Sequence, residues 1–370
     1  MRWAAGSRRR KAAGHEGRRP VALWASTSTS TQGGIASYVR TLEDTPLWSQ
    51  WSITHVCTHR DGNFARKVAV FAAGAAEFAW RILVHRPALV HLHTASYGSF
   101  ARKSILVWLA AAMRVPVVLH VHGAGFSEFY SGHGILIRAY IRATLVRADR
   151  VVALGDSWAR RLQRIAPASR IIVIPNAVRV RRTSEDPVSD RTVRVLFLGR
   201  VREYKGVFAL LDAWRIVQAA QGRRVRLTIA GDGELGAARS RAQDLGLDDA
   251  VDFPGWVNPD EVEELLEHSR ILVLPSRYEG QPFAVIEAMA HGLCVVASEV
   301  GGVPELIADG CGILIPPDDV EALAAALNLV LADRELRKRT GAAAYARARA
   351  CYDADVVWRR IDAMYRDLVR

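Results

Sequence analysis

Short apolar runs rich in β-branched residues recur along the chain, separated by longer stretches in which apolar positions return every three or four residues. In the first half the runs are 21–25, 51–57, 88–93, 116–121, 150–154 and 171–174. In the second half they are 193–199, 225–230, 250–253, 271–274, 294–298 and 312–315. A run that is apolar at consecutive positions needs cover on both faces, and amphipathic helices between successive runs supply it. The pattern therefore predicts an α/β fold with parallel sheets. Between the halves, residues 179–191 carry Ser184, Glu185, Asp186 and Pro187 with no apolar period and read as a linker. The expected organisation is a basic tail at 1–19, a first domain at 20–178, this linker, a second domain at 192–351 and a closing helical segment at 352–370.

Composition agrees with two packed domains. The chain has 370 residues, half of them hydrophobic and 24% charged, which excludes a disordered chain. The four cysteines (Cys57, Cys294, Cys311, Cys351) form no C-x-x-C pair, which argues against a zinc or disulfide framework and for a reducing compartment. Charge is unevenly placed: residues 1–190 hold 27 Lys and Arg against 11 Asp and Glu, whereas 191–370 hold 23 against 27. A basic first half suggests an anionic partner there. No run reads as a membrane span, since the best stretch, 105–121, is interrupted by Arg114 and Pro116. The basic start (Arg8, Arg9, Arg10, Lys11) has no apolar stretch behind it and is read as a tail, not a signal peptide.

In open parallel sheets ligands bind beyond the carboxyl ends of the strands, so the residues after each run are the ones to read. The richest stretch is 271–306. A buried strand ends at Pro275, a polar loop follows, and a helix begins near Pro282, where a missing N–H costs nothing. Around Pro282, the free amides of Gly280, Gln281, Phe283 and Ala284, with the helix dipole behind them, favour a phosphate. Glu279 precedes this turn and Glu287 lies within the helix, so two carboxylates can accept hydroxyls from two parts of one ligand. Acids near helix starts are also ordinary, and neither residue alone decides.

A second element is 195–207, where Arg200 and Lys205 follow the strand. Two cations there can neutralise a pyrophosphate leaving group, while Arg202 reads as a solvated residue. Gly33 and Gly34 open the helix after the first run and let backbone approach an anion. His122 falls where a strand meets the cleft, and His120 reads as an inward packing residue. His91 and His93 repeat the pattern one strand earlier, but no acidic or Cys partner accompanies the four at ligand spacing, so no metal centre is expected. Asp353-Ala354-Asp355 lies in a helical segment and is read as surface acid. Residues 136–146, with Arg138 and Arg142, are read as an ordinary amphipathic core helix, a basic membrane-facing helix being the alternative.

Taken in order, these residues resemble glycosyltransferase family 4, retaining enzymes of GT-B fold with two Rossmann-like, doubly wound domains facing a central cleft. The resemblance rests on Gly33-Gly34, His122-Gly123, Ile174-Pro175-Asn176, Gly199-Arg200 with Lys205-Gly206, Gly231-Asp232-Gly233, Phe253-Pro254-Gly255-Trp256-Val257, and Glu279 with Glu287 ahead of Gly301-Gly302-Val303-Pro304-Glu305. It implies a nucleotide sugar, UDP- or GDP-linked, as donor. Arg200 and Lys205 would bind its pyrophosphate, with the amides near Gly34 and Gly280–Phe283. Gly233 belongs to the same donor side. Glu279 would contact the donor sugar, Glu287 the ribose, the Val257 region the base, and His122 the reacting sugar from the acceptor side.

The resemblance further implies transfer without a metal or other cofactor, and a last helix that crosses back onto the first domain. Two residues depart from the family pattern: Cys294, expected to affect packing, and Gln281, expected to alter donor-sugar recognition. The expected activity is transfer of a hexose to a glycan or polyprenyl-pyrophosphate-linked acceptor in bacterial surface or exopolysaccharide synthesis. The expected place is the cytoplasm, with peripheral contact to an anionic membrane. A sugar-nucleotide epimerase and a non-catalytic nucleotide-sugar-binding module are the alternatives. Nucleic acid is not expected, because the basic residues lack interleaved aromatics.

Overall fold

The computed structural model describes residues 20–123, 125–180, 192–221 and 224–370. The expected tail at 1–19 and all but the first two residues of the expected linker lie outside them. Each of the twelve apolar runs contributes a strand. The first domain holds β1 (Ala22–Ser26), β2 (Thr54–Cys57), β3 (Leu89–Thr94), β4 (Val117–Val121), β5 (Arg150–Ala153) and β6 (Ile171–Val173). The second holds β7 (Val193–Leu198), β8 (Val225–Ala230), β9 (Val251–Gly255), β10 (Ile271–Leu274), β11 (Cys294–Ser298) and β12 (Ile313–Ile315). The sheets run β2-β1-β3-β4-β5-β6 and β12-β11-β10-β7-β8-β9. Every strand pair is parallel. Strand order therefore reverses between β1 and β3 in the first sheet and between β7 and β10 in the second, the two switch points where a doubly wound sheet opens a crevice.

Alternate residues of the first sheet feed two cores. Leu23, Ala25, Val90, Leu92, Leu119 and Val121 pack on one face, and Ala22, Trp24, Leu89 and Val118 on the other. The second face is closed by the C-terminal helix Ala354–Leu368, which inserts Val357, Ile361, Met364 and Tyr365. That helix is tied down by the Trp24 indole donating to the Tyr365 hydroxyl at 2.8 Å and by the Trp51 indole donating to Asp362 at 2.8 Å. Asp353 caps it, accepting from the Asp355 amide. Where the chain returns, the Val178 amide donates to Tyr352 O at 3.0 Å and the Ala354 amide to Val178 O at 2.8 Å. The two strand-like stretches that connect the domains are thus bound side by side at Val178 and Asp353.

Candidate active site

The two domains meet through the carboxyl ends of both sheets. Beyond β1, Gly34 faces the Phe283 ring so closely that a Cβ there would sit 3.0 Å from it. Beyond β5, the Leu154 carbonyl accepts from Gln281 Nε2 at 2.7 Å, and the Asp156 and Ser157 amides donate to the two carboxylate oxygens of Glu305 at 2.7 and 3.1 Å. A carboxylate at the start of the helix Asp156–Ile165 is favoured by the free amides and the dipole there. Beyond β6, the Asn176 amide donates to Gln281 Oε1 at 2.6 Å and Asn176 Nδ2 to the Gln281 carbonyl at 2.9 Å. The loop after β10 is therefore the surface on which the first domain closes.

On the second-domain side the switch point brings two expected residues into contact. Lys205 ends a short 3-10 turn after β7, and its Nζ lies 2.6 Å from Oε1 of Glu279, whose side chain is only 7% exposed. Two glycines make the contact possible. Gly206 has φ +73 and packs on the Pro275 carbonyl, where a Cβ would come within 2.0 Å; Gly301 has φ +58 and packs on the Glu279 carbonyl, where a Cβ would come within 1.7 Å. Both need the left-handed region and the missing side chain. The Gly302 amide adds a hydrogen bond to the Gly280 carbonyl at 2.9 Å, which steadies the turn. Pro282 caps the helix Phe283–Ala290 from outside, so its first helical residue is Phe283.

The remaining expected residues are spread around this pair. Arg200 leaves the end of β7 60% exposed and leans toward Asp232, Nε to Oδ1 at 3.7 Å. Gly233 packs against the Val201 carbonyl in the loop after β8, and Val257 rests partly buried on the second-domain core. Gly33 stands just before the helix Gly34–Glu43 with no neighbour crowding it. Gln281 differs most from expectation. Both ends of its carboxamide are engaged by the first domain, a latch between the domains that the sequence did not show.

Two ionisable groups are displaced from their ordinary range. Burial pushes the Glu287 carboxyl up to about 7, helped by the negative charge of Glu263 and opposed by His291 and Arg40. Burial pushes His122 down to about 3, opposed by a hydrogen bond with the Asn176 side chain. His122 is thus a neutral imidazole at physiological pH. Through Asn176 and Gln281 it is linked to the same loop that carries Glu279.

Three expectations change with the structure. His91, His93 and His120 share the sheet face covered by the C-terminal helix, and strand register sets His93 opposite His120. Their ligating atoms come within 4.8 Å of one another, a cluster that sequence spacing alone did not reveal. The helix Ile135–Arg147 is not an ordinary core helix: it buries only Ile141, Thr144 and Leu145, and leaves Ile135 and Leu136 more than 80% exposed. The helix Phe64–His85 is long and apolar enough to cross a membrane by length and composition, with only 17% of its apolar window buried. Sequence reading passed over it because Arg66, Lys67, Glu77 and Arg81 break up its apolar run.

Asn176 and Glu305 make contacts between the domains that the sequence reading did not anticipate, though it quoted both residues. Asn176 follows a strand end, the one signal that could have marked it. Glu305 had none, because its partners lie in the other domain.

Residues 182–347 match the family described as Glycosyl transferases group 1, and residues 33–182 match Glycosyltransferase Family 4. The chain is similar to the phosphatidyl-myo-inositol mannosyltransferase of Mycolicibacterium smegmatis, 31% identical over 284 residues that cover 75% of this chain and 70% of the relative. It is also similar to the amylovoran biosynthesis glycosyltransferase AmsK of Erwinia amylovora, 40% identical over 143 residues, 36% of this chain and 35% of the relative. Other curated relatives are matched over about half their own length. Among solved structures, that of Anabaena HepE in complex with UDP-glucose aligns with a TM-score of 0.72 at 19% identity, covering 94% of this chain and 100% of that one.

Proposed function

From a chain that belongs to the group 1 and family 4 glycosyltransferases, we infer an enzyme that moves a hexose from a UDP- or GDP-sugar to a glycan or lipid-linked acceptor, with retention of configuration and without a metal. The observation that carries this reading is the Lys205–Glu279 pair at the switch point of the second sheet, on the loop that the first domain engages through Asn176 and Gln281. Lys205 and Arg200 neutralise the departing diphosphate, and the amides of Gly34 and of Gly280, Gln281 and Phe283 add fixed donors for it. Glu279 holds the donor sugar and orients Lys205. Glu287 accepts the ribose hydroxyls, Val257 borders the base, and His122 supports the reacting sugar from the first domain. The relatives named for amylovoran and phosphatidylinositol support a role in bacterial surface polysaccharide or glycolipid synthesis.

A panel of UDP-, GDP- and ADP-sugars tests the reading through thermal stabilisation and slow donor hydrolysis. One base and one sugar are expected to stand out, with release of the free nucleoside diphosphate. Stabilisation by none of them, or interconversion of sugars without diphosphate release, would favour the epimerase alternative or a different ligand class.

The ribose contact makes a pH prediction. Glu287 accepts hydroxyls best when ionised, so binding pulls its carboxyl below about 7. Affinity for the intact nucleotide sugar is then expected to rise roughly tenfold between about pH 6 and pH 8 and to level off above that. Calorimetric titration across this range reads the slope. A flat profile, or the same slope in Glu287→Gln, removes Glu287 from the site.

The first domain also carries a surface suited to an anionic leaflet. Ile135, Leu136 and Ile137 stand out beside Arg138 and Arg142, and Trp80, Leu83, Val84, Ile105 and Trp108 continue the apolar exposure on the neighbouring helices Phe64–His85 and Gly98–Ala112. Hydrogen bonds from Tyr140 to Ser104 and from Trp108 to Thr144 hold two of these helices together. Arg138 and Arg142 flank a surface hollow of about 440 Å³ that Tyr130, His133 and Ile135 also line. Apolar residues with interspersed arginines are the composition of a helix lying in a headgroup layer. Docking there would put the acceptor half of the enzyme on the membrane that carries a lipid-linked acceptor.

A further inference from the structure

Tyr97 breaks a backbone rule in a place where its ring can be used. It stands between β3 and the helix Gly98–Ala112, with φ +52 and ψ −126. Those angles belong to the first central residue of a type II′ turn, a position that glycine dominates because a Cβ crowds the backbone there. A glycine stands next door at 98, yet the strained place holds a tyrosine, and that tyrosine is 59% exposed. The turn is fixed in this shape: the Ala95 amide donates to Ser99 Oγ at 3.0 Å and the Ser99 amide to the Ser96 carbonyl at 3.2 Å. Packing does not require the ring where it is, so the strain points to a use for it.

The surroundings indicate the use. Ser96 packs on Gly123, where a Cβ would come within 2.8 Å of Ser96 Oγ, and Gly123 directly follows His122. Tyr97 therefore belongs to the same layer of loops as His122, past the carboxyl ends of β3 and β4. Phe129 meets its ring edge to face at 5.0 Å and is itself backed by Phe100 and Phe126. His133 lies 6.3 Å from the Tyr97 ring and also lines the hollow of about 440 Å³. Its Nδ1 is 2.6 Å from the Phe129 carbonyl, which only accepts, so Nδ1 carries the proton and Nε2 of the neutral ring is an acceptor.

Arg138 and Arg142 line the same hollow. Arg138 donates to the Tyr130 and Ser131 carbonyls, and Arg142 to the Tyr130 hydroxyl at 2.8 Å. Neither has a carboxylate within ion-pair distance among the described residues. Two uncompensated guanidiniums thus border a hollow that an exposed aromatic ring adjoins.

We propose that Tyr97 and this hollow form a subsite for a sugar bearing phosphate on its anomeric carbon, with the sugar ring on Tyr97 and the phosphate against Arg138 and Arg142. One face of a pyranose presents C–H groups, which the negative face of an aromatic ring attracts. Guanidiniums take phosphate oxygens with directed, charge-assisted bonds. An apolar ligand would leave the arginines without a partner, and a bare phosphate would leave the ring unused. Calling this ligand the acceptor rests on the glycosyl transfer proposed above; its binding does not.

The 1-phosphates of glucose, galactose, mannose and N-acetylglucosamine test the subsite. Each is titrated into the full chain with excess UDP and GDP filling the donor site, and NMR reads saturation transfer from aromatic protons to sugar C–H protons. At least one is expected to bind, its methyl glycoside about tenfold more weakly, and inorganic pyrophosphate to displace it. Tyr97→Gly should weaken binding about fivefold while the melting temperature holds or rises, because the turn is relieved. Tyr97→Phe should bind normally, and Arg138→Ala with Arg142→Ala about tenfold more weakly. Undiminished binding by Tyr97→Gly, or a loss that comes with a fall in its melting temperature, would overturn the proposal. So would phosphatidylserine vesicles binding through the two arginines while none of the four sugar phosphates binds, which would give the hollow to lipid headgroups. Sugar phosphate binding in a chain that no nucleotide sugar stabilises would keep the subsite and remove the transferase reading.

Discussion

Replacing Lys205 by alanine is expected to lower kcat for glycosyl transfer by about 100-fold, the scale of losing one preorganised group that meets charge developing in the transition state. The ammonium stands at the carboxyl end of β7, in the reversal of strand order, where the leaving diphosphate is proposed to lie. Its partner Glu279 is nearly enclosed, so the substitution also strands a carboxylate. Breaking a pair this enclosed can cost on the order of 3 kcal/mol, less whatever solvent screens at Lys205. A thermal melt therefore accompanies the rate, and the melt of the double variant Lys205→Ala, Glu279→Gln reads how much of the lost stability comes from the stranded carboxylate. Lys205→Arg keeps the charge and should recover part of the rate. An unchanged kcat in a well-folded Lys205→Ala protein would remove Lys205 from the chemistry.

The second large effect concerns the exposed face of the first domain. Substituting Arg138 and Arg142 together by alanine should weaken partition onto phosphatidylserine vesicles by roughly 30-fold at low salt, since each basic residue near an anionic leaflet contributes about 1 kcal/mol. Co-sedimentation measures this, and vesicles of neutral lipid serve as the control. Replacing Leu136 and Ile137 by serine should reduce binding to both vesicle types, because it removes the apolar contact shared by both. If the unsubstituted protein ignored anionic vesicles, this surface would need another explanation.

The fold was legible because buried parallel strands leave a signal that depends on local composition alone. All twelve runs contain strands, and the offsets fall at the ends: the run at 51–57 begins with residues that turn before β2 starts at Thr54. Residues at strand ends were legible for the same reason. Lys205 and Glu279 follow β7 and β10, and strand adjacency brings them together. What stayed hidden depends on contacts between distant parts of the chain. Glu305 and Gln281 are ordinary polar residues until the other domain arrives with Asp156, Asn176 and Leu154. The helix Ile135–Arg147 is apolar on several sides, so periodicity could not say which side would pack. The alternation in β3 and β4 put pairs of histidines on one face, but only the register of the folded sheet sets His93 beside His120.

The side-by-side binding of the chain at Val178 and Asp353 limits how the enzyme can breathe. Two covalent connections stitched at one place behave like the spine of a book. Because the two crossings are tied to each other there, any movement of one half against the other has to be accommodated around that line. Val178 lies two residues beyond Asn176, so the binding of the spine and the contact of Asn176 with the facing loop belong to one short stretch of chain.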